Sequence, residues 1–501
     1  MRTDYLELVR LMTLTLIGLV QLLIGTYLLL RGSLNSLFAF LLVSSLFLGS
    51  ASVQLPALGG SSIQPSDFAL IFVALRILAP SGGYAAALPE AFKEHAVLLL
   101  FVSYGVVSAF AAPRIFADAI DVAPMRLTDA TDLFEAIPLA PTSQNITAAV
   151  YLIGTAISAL VAHVVCTYRG GAHTLVRTAV IIAWGHGLIG LAGIVVQGTP
   201  AEVVLDVFRN ASYAQLDHSY QGFIRLTGIA PEASSFASFG LAWFIFTAEC
   251  WYRGVETRKT GRAAIFMACI LIFSTSSTAY IGLVVYSLFF AIRVAAFPGV
   301  SPQTRVVQAL GFMGGGTFLI AIAMVTIPEL PAATWDMILH MTVDKRDSNS
   351  GLQRTYWAMQ GWHAFLASGG LGIGPGSFRS SSQIMAIVGS MGVIGIVTFL
   401  LYVWQVFQPG RASTWAGYAD PGLAVGAAAA TTALIILIPA GFTAPSPNPG
   451  SGFAIFAGVA LSLRPRRERK TMENSVSQDF SYASEASEVD RSHPSEQARR
   501  T

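Results

Sequence analysis

Arginines and carboxylates in the polar segments of this otherwise apolar chain are the residues whose types and spacing suit them to chemistry. Arg225-Leu-Thr-Gly-Ile-Ala-Pro-Glu232 reads as a loop running into a helix start, with Pro231 suited to the first helical position and Glu232 to the first turn. Arg354-Thr-Tyr-Trp357 belongs to a surface helix that leads into the turn Gly369-Gly-Leu-Gly-Ile-Gly374-Pro-Gly376-Ser-Phe-Arg379. A planar guanidinium grips phosphate oxygens two at a time, so Arg225, Arg354 and Arg379 point to an anionic ligand. Glu232 is either a helix-terminus stabiliser or a carboxylate placed to take a proton from an acceptor hydroxyl. His363 is the other candidate base, set against an ordinary interfacial histidine. At about 100° per residue, Arg354 aligns with Trp357, Gly361 and Phe365, while His363 points the opposite way. Arg354 and His363 therefore share a ligand only if the helix breaks near Gly361. The glycines lack the strand and βαβ context of a dinucleotide fingerprint. A tight turn that delivers Arg379 and free N–H groups at the start of the next helix, a ready anion site, fits them better.

The frame that must hold these residues is a membrane bundle. A spanning helix needs roughly 20 mostly apolar residues, because its backbone polar groups find no water in the bilayer. Such runs recur from Val9–Leu30 and Leu34–Leu58 to Leu423–Phe442 and Gly452–Leu463. They predict an all-α polytopic membrane protein with about 12–14 transmembrane helices. The basic link Arg253, Arg258, Lys259, Arg262 and the tail cluster Arg464, Arg466, Arg467, Arg469, Lys470 are separated by an even number of spans, so both fit the cytoplasmic side. That parity places the long segments 113–146, 198–235 and 328–382 on the far, periplasmic side. The basic residues there are Arg114, Arg126, Arg209, Arg225, Lys345, Arg346, Arg354 and Arg379, all arginine but one. The alternative for any single one is a side chain snorkelling to lipid headgroups. Residues 1–463 form the polytopic domain. The Ser- and Glu-rich stretch 464–501 reads as a disordered cytoplasmic tail.

Composition narrows the classes further. Over 501 residues, 54% are hydrophobic and 12% charged, and the mean hydropathy is +0.61, which excludes an ordinary soluble enzyme. A net charge of +2 carries no nucleic-acid signature. Cys166, Cys250 and Cys269 lie in apolar runs, without the spacing of a disulfide framework or a zinc site. The pairs Asp118/Asp121 and Asp129/Asp132 are suited to touch a divalent cation, but no full ligand set is visible, and no metal or cofactor is expected. Arg76, His163, His186, Glu249 and Arg293 fall in or at the ends of spans. His186, near the middle of its run, is a functional candidate, with interhelical hydrogen bonding as the alternative.

The order of motifs carries a resemblance. Arg-x-x-Gly-x-x-Pro-Glu-x-x-x-Phe (Arg225 to Phe236), a Ser/Thr-rich span end at Ser274–Thr278, an outer loop with Arg354-x-x-Trp357 and Gly372-x-Gly374-x-Gly376, and a span with Gly392-x-x-Gly395 follow one another. This arrangement resembles the O-antigen polymerase and ligase (Wzy-like) superfamily. The resemblance implies a GT-C-like, metal-independent glycosyltransferase without a cofactor, at the periplasmic face of a bacterial inner membrane. Its implied substrate is an oligosaccharide on undecaprenyl diphosphate, with Arg225 and Arg354 holding the pyrophosphate and Arg379 beside them. Membrane lipids and a chain-length regulator are the implied partners. Many ligases of the superfamily have a His-Asn pair where this chain reads Arg379-Ser-Ser-Ser382, which leaves Glu232, or else His363, as the base. The expected activity is polymerisation of lipid-linked repeat units. The alternatives are a ligase moving the glycan to another acceptor, and a flippase or transporter, which would carry its polar residues at broken helices near mid-membrane.

Overall fold

The computed structural model describes residues 12–56, 60–125, 134–211, 219–220, 223–224, 226–297, 302–326, 349–416 and 420–464. Arg225, Arg126, Lys345, Arg346, Asp129, Asp132 and the tail beyond 464 lie outside the described residues.

Backbone in hydrocarbon must satisfy its own polar groups, and here it does so almost wholly as helix. In chain order the helices are α1 (Leu16–Arg31), α2 (Leu34–Ser44), α3 (Pro65–Leu78), α4 (Leu88–Glu94), α5 (Ala96–Ile115), α6 (Ser143–Thr167), α7 (Gly171–Val196), α8 (Glu202–Phe208) and α9 (Ala233–Tyr252). They continue with α10 (Thr257–Phe273), α11 (Ser277–Ala296), α12 (Gln303–Thr326), α13 (Asn349–Ala367), α14 (Gln383–Phe407), α15 (Ala412–Trp415), α16 (Pro421–Thr443) and α17 (Gly450–Ser462). Among the described residues, 6 helices (α5, α6, α7, α11, α14 and α16) are long and apolar enough to cross a membrane, and α1, α2 and α17 are shorter apolar helices. Side chains such as Leu23, Leu30, Val107, Val284, Leu400 and Trp404 remain exposed on the outside of the bundle. An apolar exterior of that kind is what lipid requires. The chain is an all-α polytopic membrane protein.

The apolar runs read from the sequence fall on helices, with two corrections: of Val9–Leu30, residues 9–11 lie outside the described residues, Thr13–Leu14 is a short strand and the helix begins at Leu16. The run Leu34–Leu58 leaves the helix after Ser44 and returns as strand β2 (Val53–Leu55), which pairs antiparallel with β1 (Thr13–Leu14) and β3 (Ser61–Ile63). Ser45, Gly49, Ser50 and Ser52 interrupt the run with groups that bond locally or to other loops, and Pro56 follows. Ser50 Oγ donates to Phe208 O, and the Ala51 N–H donates to Asn210 Oδ1 at 2.7 Å.

Connections between the helices are tied to one another in two separate groups. At the loop end, β4 (Asp121–Val122) pairs with β5 (Ile137–Pro138), and Gly49 N donates to Ile229 O at 3.0 Å. At the opposite, basic end, Asn35 Nδ2 bonds Arg169 O at 3.2 Å and Gln405 Nε2 bonds Glu94 O at 2.8 Å. There His95 Nδ1 meets Tyr402 Oη at 2.8 Å, and its ring lies edge-on to His163 at 5.2 Å. Glu249 near the end of α9 is fully buried between two arginines. Its Oε2 lies 3.2 Å from Arg253 and 2.8 Å from Arg293 Nη1, and Tyr286 Oη donates to its Oε1 at 3.0 Å. Arg253 also donates to the carbonyls of Thr414 and Ala416, fastening α15 to α9.

One helix is not continuous. Within α14, Gly392 takes φ 58° and ψ −150°, which breaks the helical ladder in the middle of the span. The turn between α13 and α14 repairs it. Ile373 N and Gly374 N donate to Gly389 O and Ser390 O, and Val393 N donates to Gly370 O, all at 2.9 Å. Non-helical backbone at this depth is tolerated because protein supplies its partners. Gly392→Ala is expected to lower the melting temperature in detergent. The dihedrals alone cost about 1–3 kcal/mol for a residue with a side chain, and a Cβ there would fall on the Gly370 carbonyl oxygen. A variant that melts with the wild type would show that α14 can straighten without this turn.

Candidate functional site

The site is built at the loop end from three segments: the start of α9, the helix α13, and the turn that follows it. Glu232 is the residue before α9, extended at φ −157° and ψ 163°, not within the first turn as its sequence suggests. Its side chain makes no capping hydrogen bond to the helix, and instead it accepts from the Ser234 hydroxyl. The carboxylate therefore takes no backbone N–H of the helix, though it stands at the helix N-terminus.

The segment Leu226–Pro231 leading to Glu232 is buried and clamped from beneath. Arg209 Nε donates to Gly228 O at 3.1 Å, as does its Nη2, and burial pulls this guanidinium below its ordinary pKa. Arg209, counted among the arginines available for an anion, therefore serves the backbone. His186 Nε2 meets Phe236 O at 3.0 Å and its ring stacks on Phe236 at 3.9 Å, which pins α7 to the first turn of α9. This is the interhelical hydrogen-bonding role, and it supports the platform under Glu232.

On α13, Trp357, Gln360, Gly361 and Ala364 are buried, whereas His363 is exposed. The buried face packs on α14, where Gly389 comes so close to Gly361 that a Cβ on Gly389 would stand 2.6 Å from the Gly361 Cα. Helical phase therefore carries His363 away from the face that holds Trp357, and the structure does not bring it to the site. Arg354, half-buried, lies one turn before Trp357 on the same side, and its carbonyl accepts from Ser381 Oγ.

Arg379 completes the arrangement. Its Cζ sits 4.2 Å from the centroid of the Trp357 ring, a cation–π shelf, and its backbone N–H donates to Ala123 O at 3.0 Å. Burial lowers the Arg379 guanidinium from its ordinary pKa, and the nearby Glu232 carboxylate opposes that fall. An arginine keeps its proton under such shifts, so the site presents a fixed positive charge beside a carboxylate. Arg225 lies outside the described residues.

The turn delivers Arg379 as expected, but its N–H groups are not free for an anion. Those of Ile373 and Gly374 serve the break in α14, Gly372 N donates to Ser368 Oγ, and Ser382 Oγ accepts from Met385 N as the cap of α14. Asn145, which is not among the residues selected from the sequence, anchors the turn through Nδ2 to Pro375 O at 2.8 Å and Ser377 Oγ at 3.0 Å.

No protein-family model and no curated protein matches this chain. The functional reading accordingly rests on the residues and their placement.

An open apolar groove of about 550 Å³ runs along α5, lined by Val106, Val107, Phe110 and Ala111, with Arg114 at its loop end. Gly374 of the turn abuts Ser108 and Pro113 on the buried face of the same helix, whereas Val107 and Phe110 of the groove face outward. Among the described residues, no group of three or more His, Cys, Asp or Glu side chains is placed to hold a metal ion. If Trp357 holds Arg379 in place, Trp357→Ala is expected to lower the melting temperature in detergent, at a cost of about 2 kcal/mol for the desolvated cation–π contact, and Trp357→Phe to restore most of it. Equal melting of the two variants would show that the ring does not hold Arg379.

Proposed function

We propose that this chain is a polysaccharide repeat-unit polymerase, which moves a growing glycan from its undecaprenyl diphosphate onto the sugar of a new lipid-linked unit at the periplasmic face. The observation that carries this reading is the juxtaposition of Arg379, stacked on Trp357, with Arg354 on the same helix and with the uncapped Glu232 carboxylate.

Transfer breaks the bond between the anomeric carbon and the diphosphate oxygen and forms a new glycosidic bond to the acceptor hydroxyl. Negative charge grows on the departing diphosphate, and guanidinium groups fixed in a low-dielectric pocket stabilise it. Arg379 and Arg354 take that role, with Arg225, the arginine that the resemblance pairs with Arg354. The acceptor hydroxyl must lose a proton as it attacks, and Glu232 accepts it. The break at Gly392 is the kind of feature a transporter would use, but its freed carbonyls at Gly389 and Ser390 accept from the Gly-rich turn, which favours the enzyme.

Deletion of the gene followed by analysis of the surface glycan tests the reading. Single units on the lipid carrier support a polymerase. Long chains stranded on the carrier would replace it with a ligase, and intermediates retained on the cytoplasmic face with a flippase. Complementation with Glu232→Gln is expected to leave single units.

A further inference from the structure

Beside the arginines, α13 carries a second group of side chains with a different chemistry. Tyr356 precedes Trp357, and Gln360 stands one turn further on, so Tyr356 and Gln360 lie one above the other. Burial raises the Tyr356 phenol from its ordinary pKa; the Gln360 side chain opposes that rise and the Asp121 carboxylate adds to it. Phe134 packs edge-on against the Tyr356 ring, with centroids 5.7 Å apart and planes at 68°. Gln360 is 6% exposed, and among the described residues its Oε1 has no hydrogen-bond partner. A buried acceptor left open in this way calls for an explanation, and a ligand hydroxyl supplies one.

The group adjoins the diphosphate clamp through covalent structure on both sides. Trp357, the next residue, holds Arg379, and Ala123, two residues after Asp121, accepts the Arg379 N–H. Aromatic faces suit the C–H surface of a pyranose, whereas a carboxylate, an amide oxygen and a phenol suit its hydroxyls. No cation belongs to the group, and Asp121 repels anions. Phosphate and uronic acid are therefore poor occupants.

We propose that Phe134, Tyr356, Gln360 and Asp121 form a subsite for an uncharged pyranose ring of the glycan, next to the arginines. The subsite rests on the proposed glycosyl-transfer reading, because it assigns the sugar that flanks the diphosphate.

The test uses the full-length protein in lipid nanodiscs, applied to an array of neutral and uronic-acid-containing oligosaccharides. Wild type and Met359→Ala, which alters the exposed face of α13, are expected to retain neutral oligosaccharides. Tyr356→Ala and the conservative Asp121→Asn are expected to bind them at least tenfold more weakly. Asp121 is exposed, so Asp121→Asn tests the subsite even if Tyr356→Ala does not fold. Retention of neutral oligosaccharides by Asp121→Asn at wild-type strength, a preference for uronic acids, or no binding by wild type would each overturn the subsite. The reading of function fails separately. If gene deletion shows no polymerase defect while Asp121→Asn still loses neutral oligosaccharides, the subsite stands and the polymerase does not.

Discussion

Arg379→Ala is expected to reduce chain growth by about 10²–10³-fold, the loss that follows removal of one donor from a site built to stabilise developing charge. The protein should remain folded, because the ties that hold this turn run through backbone and small side chains. The Arg379 N–H to Ala123 O, Asn145 to Pro375 O, and Ile373 and Gly374 N–H to α14 all survive the substitution. Arg379→Lys keeps a positive charge but loses the planar stack on Trp357 and the paired grip on phosphate, so an intermediate rate is expected. Arg354→Ala should act on the same step. The double variant should then fall far short of the product of the two losses, because residues that act as one unit are not additive. The measurement is the length ladder of the glycan made by each variant at matched protein level. Full-length chains from both single variants at the wild-type rate would mean that these arginines do not hold the leaving group.

The spans were legible because a membrane imposes one crude rule: long apolar runs become helices. Placement along a single helix was legible as well. A turn of about 100° per residue was enough to set His363 apart from Arg354, and the exposed His363 beside the buried Trp357 agrees. Contacts between helices left no trace in the pattern. Glu249 and Arg293 are 44 residues apart, and neither sequence neighbourhood hints at the other. Arg209 looked like its fellow arginines until its guanidinium was seen on Gly228 O. The glycines after α13 were readable as a turn, but not as the patch for a broken span. Gly392-x-x-Gly395 is equally a helix-packing motif, and only the hydrogen bonds of Ile373, Gly374 and Val393 decide between the two. The start of α9 was misplaced by two residues: Pro231 reads as its first helical position, but the helix begins at Ala233. Glu232 therefore stands before the helix, and its carboxylate bonds the Ser234 hydroxyl and no backbone N–H of the first turn.

Glu249→Ala should produce the largest loss of stability in the molecule. Glu249, Arg253 and Arg293 all have 0% of their side-chain surface exposed. One carboxylate there faces two guanidiniums, so the cluster already carries surplus positive charge. The ring of Tyr252, 4.0 Å from Arg293 Cζ, offsets part of it. Removing the carboxylate leaves two buried cations without their counter-ion, and breaking a buried pair in this way costs about 3–5 kcal/mol. Replacing a whole buried ion pair with apolar groups is far less damaging than halving it. Glu249→Leu combined with Arg293→Met should therefore recover the part of the loss that belongs to Arg293, while Arg253 stays without a counter-ion. Arg253 then keeps the carbonyls of Thr414 and Ala416 as partners. Thermal melting in detergent distinguishes the variants, and a single variant within about 1 kcal/mol of wild type would show that Arg253 and Arg293 do not depend on Glu249. The same helix carries Glu232 at its other end, but His186 and Arg209 fix that end independently. The surviving folded fraction of Glu249→Ala should consequently transfer glycan at the normal rate per molecule, which separates the stabilising end of α9 from its catalytic end.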